Sequence, residues 1–366
     1  MHIALIGTRG VPAKYGGFET CAEEISTRIS SKGHEVTVYC RNGNFDDSIS
    51  NYKGVRLVHL PTIKGKLTET FFHTFLSILH SLFIRPDIYL IMNAANSPLC
   101  IILKLFRKKT IINVDGLEWR RKKWGFLGKN YYLFSEWVSS KIADEIVSDA
   151  IGIKNYYLEK YKTDSTFIAY GADIEHSTND SILKEYKLKP DKYLFIASRL
   201  EPENNADIAV KAMQYIDTDK KLVIAGGANY QSKYIKELTK TNDSRIIFLG
   251  PIYSEGHIKE LHCNCFAYIH GNEVGGTNPA LLKAMGYGNM IFATNNIFNN
   301  EVLKDCGIFY DKDPKQLSRK LSKILSNPNM RNQFQKKAVK RIKNNYTWGK
   351  ISEQYLDLFF KCINKA

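Results

Sequence analysis

Apolar residues arrive along this chain in short bursts, separated by amphipathic stretches of helical length. HIALIG (2–7), EVTVYC (35–40), VRLVHL (55–60), DIYLIM (87–92), TIINV (110–114) and EIVS (145–148) are rich in β-branched residues and predict strands. Between them a helix is predicted from about Phe18 to Ser31, with Ala22, Ile25 and Ile29 on one face and Gly33 at its end. Further helices are predicted near 68–84, 97–107 and 128–142. The stretch FFHTFLSILHSLFI (71–84) is apolar nearly all round and is read as a buried helix, with a shallow membrane anchor as the alternative.

After a Lys- and Asp-rich stretch near 176–192 that resembles a linker, the pattern restarts. YLFIAS (193–198), KLVIAG (221–226), RIIFLG (245–250), FAYIH (266–270), MIFAT (290–294) and GIFY (307–310) predict six more strands separated by helix-length segments. Two amphipathic basic helices, about 315–345 and 348–362, close the chain. Alternating strands and helices imply parallel sheets covered on both faces. The expected fold class is α/β with two Rossmann-like, doubly wound domains facing across a cleft at the carboxyl ends of their strands. The expected divisions are 1–172, 173–345 and a final helix at 346–366 packing back on the first domain.

With 366 residues, 44% apolar and 24% charged, the composition is that of an ordinary globular protein with material for two cores. Seven cysteines at irregular spacing do not form a disulfide framework, and Cys263–Cys265 has no partner pair for zinc. The start MHIALIGTRG does not read as a signal peptide, and no apolar stretch reaches the roughly 18 residues of a spanning helix. A cytoplasmic, reduced setting is expected. The formal net charge of +15 is localised: nine basic and two acidic residues lie within 104–129, and the same numbers within 330–366. Localised charge implies an anionic partner, either a phosphorylated substrate or an anionic membrane surface. Nucleic acid is disfavoured, because no RNP, KH or helix-turn-helix pattern occurs.

Three segments carry candidate chemistry. The loop from Gly7 to Gly17 follows the first strand and opens a helix, so Gly16 and Gly17 let the backbone approach a phosphate or sugar. It is not G-x-G-x-x-G, and the second strand ends at Cys40-Arg41 without an acidic residue for a ribose, which disfavours a nicotinamide site. HGNEVGGTNPALLKAMGYGN (270–289) reads as a strand end, a glycine turn and a helix. It places Glu273 at the sheet edge and Gly275, Gly276, Thr277 and Asn278 at a helix start suited to a diphosphate, with His270 in reach of the same group. VDGLEWRRKKWG (114–125) puts Asp115 and Glu118 after a strand, where they can orient or deprotonate an acceptor hydroxyl. Arg120, Arg121, Lys122 and Lys123, interleaved with Trp119 and Trp124, suit an acceptor diphosphate or a membrane surface. Asp311-Lys-Asp313 and Asp217-Thr-Asp219 match D-x-D but are read as turn and capping residues, not as a metal site.

These landmarks occur in one order: GTRGVPAKYGGFE, VDGLEWRRKKWG, ASRLEPENN, HGNEVGGTNPALLKAM and a final helix containing Trp348. In that order the chain resembles the retaining family-4 glycosyltransferases of the GT-B fold over essentially its whole length. The first two segments look especially like a bacterial subgroup that includes rhamnosyltransferases of capsule and surface-polysaccharide assembly. The resemblance implies transfer of a sugar, L-rhamnose by the subgroup likeness, from a nucleotide-diphosphate donor to a saccharide acceptor, lipid-linked at the inner face of the membrane. dTDP-rhamnose is the favoured donor and UDP- or GDP-sugars are the alternatives. No metal or other cofactor is expected. By the same resemblance Glu273 matches the first glutamate of an E-x7-E element that contacts the donor sugar, and Arg199 the arginine that grips the donor diphosphate. The chain departs from the pattern twice. Asn204 and Asn205 stand where a lysine is usual, and Lys283 replaces the second glutamate, a ribose ligand. Lys283 is therefore expected to supply diphosphate neutralisation that position 204 lacks. The departures also allow a catalytically silent GT-B protein that binds nucleotide or lipid as an assembly partner.

Overall fold

The computed structural model describes residues 1–13, 16–44, 46–63, 65, 68–177, 180–227 and 233–365, and it divides into two compact units. The first comprises Met1–Tyr170, Gly275–Thr277 and the chain from Trp348 onward; the second comprises Gly171–Val274 and Asn278–Thr347.

In the first unit the strands are β1 (His2–Ile6), β2 (Glu35–Arg41), β3 (Asn51–Tyr52), β4 (Val55–Leu60), β5 (Ile88–Met92), β6 (Thr110–Asn113), β7 (Glu145–Ser148) and β8 (Thr166–Phe167). Their order across the sheet is β3-β4-β2-β1-β5-β6-β7-β8, and every pairing is parallel except the short β3–β4 hairpin. The apolar bursts explain this: all five residues of β5 and all four of β6 are buried, as strands covered on both faces require. The accompanying helices are α1 (Gly17–Ser31), α2 (Thr68–Ile84), α3 (Ile101–Leu105), α4 (Phe126–Ile142) and α5 (Ile151–Tyr161). The chain moves one way from β1 to β2 and the other way from β4 through β5 and β6 to β7. Right-handed crossovers therefore put α1 on one face of the sheet and α2, α3 and α4 on the opposite face. The packing agrees, since α2, α3 and α4 all contact the 3₁₀ turn Ala94–Cys100.

In the second unit β9 (Tyr193–Ala197), β10 (Lys221–Ala225), β11 (Ile246–Gly250), β12 (Ala267–His270), β13 (Ile291–Thr294) and β14 (Ile308–Tyr310) form a sheet ordered β11-β10-β9-β12-β13-β14, with all pairs parallel. Its helices are α6 (Ser181–Glu185), α7 (Ala206–Ala212), α8 (Lys233–Leu238), α9 (His257–Cys263), α10 (Pro279–Gly286), α11 (Ile297–Leu303), α12 (Pro314–Leu325) and α13 (Pro328–Asn345). One continuous core joins Ile196, Ile224, Phe292, Leu317 and Leu321. Last comes α14 (Trp348–Asn364), which packs on α1 and buries Trp348, Tyr355 and Phe359.

Three expectations are corrected. The segment 315–345 is two helices, because Pro328 cannot continue α12 and instead starts α13, which Asn327 caps through Met330 N at 3.0 Å. The linker-like 176–192 contains α6. Most consequentially, 71–84 is not buried on every side. α2 turns its polar face inward, burying His73, Thr74, Ser77, Ile78 and Ser81. Thr74 Oγ1 donates to Asn96 Oδ1 at 2.9 Å, while Ser77 and Ser81 return their hydroxyls to His73 O and Ile78 O at 2.7 and 2.6 Å. The small hydroxyls satisfy themselves locally and let the helix lie close to its support.

Asn113, at the end of β6, is fully used: its Oδ1 accepts from Asp115 N at 3.0 Å and its Nδ2 donates to the Tyr355 hydroxyl at 2.7 Å. Tyr355→Phe is expected to strand that buried amide and destabilise the protein by about 1–3 kcal/mol in urea unfolding, whereas Phe359→Leu retains the hydrogen bond.

Candidate active site

The carboxyl edge of the second sheet collects the donor-side residues. β9 runs out at Arg199, which is exposed, and a 3₁₀ turn Pro202–Asn204 follows. Asn204 is buried and its Nδ2 donates to the Arg199 carbonyl at 2.8 Å, fixing the exit of the strand. Asn205 sits at φ +51°, in the left-handed region that asparagine tolerates better than most residues. Its Nδ2 donates to Gly271 O at 2.8 Å and to the Glu273 carboxylate. Glu273 N donates to Glu203 O at 3.1 Å, so the turns after the adjacent strands β9 and β12 are stitched together. A side chain at Gly271 would collide with the Asn204 carbonyl, which is why glycine stands there. From the other side, Asn296 and Asn299 both donate to Asn272 O at 3.0 Å.

Lys312, which follows β14, brings its Nζ to 2.5 Å from Glu273 Oε1. Glu273 and Lys312 line a cavity of about 360 Å³ together with Thr294, Asn296 and Tyr310. Sequence reasoning missed Lys312 by reading the Asp-Lys-Asp run only as a turn. The available signal was its position directly after a strand. The aspartates do serve the turn: Asp313 Oδ1 caps α12 through Lys315 N at 2.9 Å, and Asp311 accepts from Asn295 and Gln316 at 3.1 and 2.9 Å. Among the described residues, no group of three or more His, Cys, Asp or Glu is assembled as a metal site.

Other expected residues lie elsewhere. His270 is fully buried, not turned outward to a phosphate. Burial, helped by His262, pushes its pKa down to about 3, so it is neutral. Lys283 is exposed on α10, and its charge is felt by buried His262. The cation on Glu273 is Lys312. Nine residues separate Glu273 from Lys283, so the seven-residue interval of the E-x7-E element is not kept. Asn278 is the N-cap of α10, its Oδ1 accepting from Ala280 N at 3.0 Å.

In the first unit Gly16 is the N-cap of α1 at φ +108°, where a side chain would strike the Glu19 carboxylate, and Gly17 begins the helix. Gly275–Thr277 are counted with this unit; the Thr277 hydroxyl donates to the Asp149 carbonyl, and a side chain on Gly276 would collide with the Asp149 carboxylate. Asp115 follows β6 at φ +59°, an uncommon conformation for this residue. Glu118 accepts from Arg121 Nε, pairs with Lys123 Nζ at 3.3 Å and accepts from Trp124 Nε1 at 3.4 Å. Arg121 and Lys123 are therefore engaged with Glu118. Trp119 and Arg120 are likewise occupied: Arg120 lies 5.3 Å over the Trp119 ring, and that ring packs on Tyr156. Lys122 is exposed.

The two carboxylates are driven apart. Burial and then the negative charge of Glu118 push Asp115 up to about 7, against the pull of Arg121. Burial also acts to raise Glu118, but Arg121 and Lys123 outweigh it and hold the group below its usual range. Asp115 is thus the more readily protonated of the two carboxyls, and Glu118 the one held charged.

The whole chain shares the architecture of GT-B glycosyltransferases. It aligns over 100% of both chains with sucrose-phosphate synthase from Thermosynechococcus elongatus (TM-score 0.83, 16% identity). It aligns over 98% of both with Anabaena HepE in complex with UDP and glucose (TM-score 0.80, 13% identity). An uncharacterized glycosyltransferase of Methanocaldococcus jannaschii is 26% identical, over 95% of this chain and 96% of its own. Residues 179–341 match the family described as glycosyl transferases group 1, and residues 1–173 match a domain of unknown function, DUF1972. Residues 179–341 are thus a group 1 glycosyltransferase domain, preceded by a DUF1972 domain, on a chain with the GT-B architecture.

Because the folded-state pKa of Asp115 is raised, its stabilising contribution is complete below the ordinary carboxylate range and is lost as pH climbs to about 7. Between pH 5 and 8 the wild type is expected to lose on the order of 2 kcal/mol relative to Asp115→Asn, measured by urea unfolding at each pH.

Proposed function

We propose that this chain transfers a sugar from a nucleotide-diphosphate donor to a hydroxyl of a lipid-linked saccharide at the inner membrane surface, with retention at the anomeric carbon. The observation that carries the reading is the Glu273 carboxylate, held by Asn205 and Lys312 at the sheet edge where Arg199 also emerges. A guanidinium suits diphosphate because its fork meets two oxygens at once. A fixed carboxylate beside it accepts hydroxyl protons of the sugar. Lys312 pairs with that carboxylate and adds positive charge where the leaving diphosphate gathers negative charge. Support for the nucleotide comes from Anabaena HepE, a structural relative seen with UDP and with UDP-glucose. The assignment of L-rhamnose and dTDP rests on the resemblance of the two N-terminal motifs to the rhamnosyltransferase subgroup.

On the acceptor side, Asp115 takes up the hydroxyl proton near neutral pH or orients the hydroxyl while a donor phosphate oxygen takes it. Glu118, locked by Arg121 and Lys123, maintains the field that keeps Asp115 basic. Asn204 is accounted for as a buried brace of the Arg199 backbone, so the missing lysine leaves no gap in that turn.

A thermal-shift screen of dTDP-, UDP- and GDP-sugars should single out one donor, with stabilisation of about 2.7 kcal/mol at a hundredfold excess over Kd. With that donor and a lipid-linked acceptor, radiolabelled transfer is expected to fall on the order of 10²-fold in Glu273→Gln with the melting temperature unchanged, because a transition-state contact is lost. Lys312→Met should lower turnover and Lys312→Arg should restore most of it. Donor binding without any transfer would instead identify a silent nucleotide-binding protein.

A further inference from the structure

The helical layer on one face of the first sheet is built with its polarity reversed. α2 presents polar side chains to the protein, while Phe71, Leu79 and Phe83 are left exposed, Phe83 at 84%. The same surface continues on the neighbouring helices of that face, with Leu105 at 77% and Phe106 at 61% beside α3, and Phe126 and Leu127 at 81% and 83% where α4 begins. Ten of the seventeen exposed large hydrophobic residues among the described residues belong to these three helices and the residue after α3. Surface apolar residues scattered singly need no explanation; a concentration of this kind does.

The charges around it are predominantly basic, with Asp144, just after α4, paired to Lys104 at 3.9 Å. Lys104, Arg107 and Lys129 are exposed on the same layer, as is Lys141 toward the end of α4. α3 carries no carboxylate, and the carboxylates of the other two helices are engaged. Glu69 pairs with Arg41 at 3.1 Å, and Glu136 is buried under the hydroxyls of Tyr156 and Tyr161 at 2.8 Å each. Apolar and aromatic side chains ringed by cations, with no competing free carboxylate on the helices, complement the surface of an anionic bilayer. None of the helices among the described residues is long and apolar enough to cross a membrane, so the contact is an interfacial one.

We propose that the outward face of α2, α3 and α4 lies on an anionic phospholipid bilayer, with Phe83, Leu105, Phe106, Phe126 and Leu127 in the headgroup–acyl boundary. This deepens the proposed function, since α4 starts just beyond the segment carrying Asp115 and Glu118, and a face laid on lipid brings a lipid-linked hydroxyl to that end of the domain. The site differs from the Arg-Lys run at 120–123, whose Arg120, Arg121 and Lys123 are taken up by Trp119 and Glu118.

The test is co-sedimentation of the full chain with phosphatidylcholine vesicles and with vesicles containing about a third phosphatidylglycerol. It needs neither donor nor transfer, so it fails independently of the enzymatic reading. The protein is expected to sediment with the anionic vesicles and largely not with the neutral ones. Phe83→Glu with Leu105→Glu should cut the bound fraction about tenfold, and Lys104→Gln with Arg107→Gln should weaken binding and flatten its salt dependence. All four positions are exposed, so the variants should keep the wild-type circular dichroism. Absence of binding to anionic vesicles, or binding unchanged in Phe83→Glu with Leu105→Glu, overturns the proposal. So does a wild-type dimer that Phe83→Glu dissociates while vesicles are ignored, because the face then belongs to a second copy.

Discussion

The arrangement at the edge of the second sheet depends on one side chain, the carboxamide of Asn205. Where parallel strands end together, the backbone groups of the departing loops lose their ladder partners and must find others. Asn205 adopts a left-handed backbone conformation and spends its amide on the Gly271 carbonyl and the Glu273 carboxylate, tying the exits of β9 and β12 together. A lysine at that position would give up both the conformational tolerance and the short, rigid donor. The cation beside Glu273 comes from a different strand, as Lys312 after β14.

The two carboxylate sites use charge differently. The Glu273–Lys312 pair is partly exposed, with the Lys312 side chain more than half accessible, and pairs of that kind contribute about 0–1 kcal/mol to stability. Its significance lies in where it holds charge, not in how firmly it holds the fold. Glu118 sits under the little-exposed Arg121 guanidinium and the more open Lys123 ammonium, and its negative charge raises the affinity of Asp115 for a proton. Burial that would be costly for an isolated acid becomes useful when the neighbouring acid is the one kept charged.

α2 shows how far composition can mislead. A run of fourteen mainly apolar residues is expected to be enclosed, since burying it is favourable. Its Ser, Thr and His residues, however, recur at helical spacing on one stripe, and their hydroxyls are satisfied by the helix's own carbonyls or by Asn96. That stripe can lie against the protein with its hydroxyls paired, although both ring nitrogens of buried His73 lack a partner, and the aromatic stripe faces outward. The polar residues held the information, and their spacing was the signal to follow.

The main strands, most of the helices and the restart of the αβ alternation were legible in the chain, because they follow from local periodicity and from glycine, proline and asparagine at turns. The positions of Asp115, Glu118, Glu273 and Arg199 just after strands were legible for the same reason. Short elements escaped: β3 and β8 have two residues each, and α5 has too weak an apolar stripe to announce itself. Tertiary structure alone decided which partner each charge found. Lys312 reaches Glu273 because β14 and β12 flank β13, Arg121 and Lys123 turn back on Glu118 instead of into solvent, and His270 is sealed in neutral form. A sequence fixes the spacing of side chains along each element, but the pairing of ions is set by distances across the sheet and by the local exclusion of water, and both exist only once the strands are side by side.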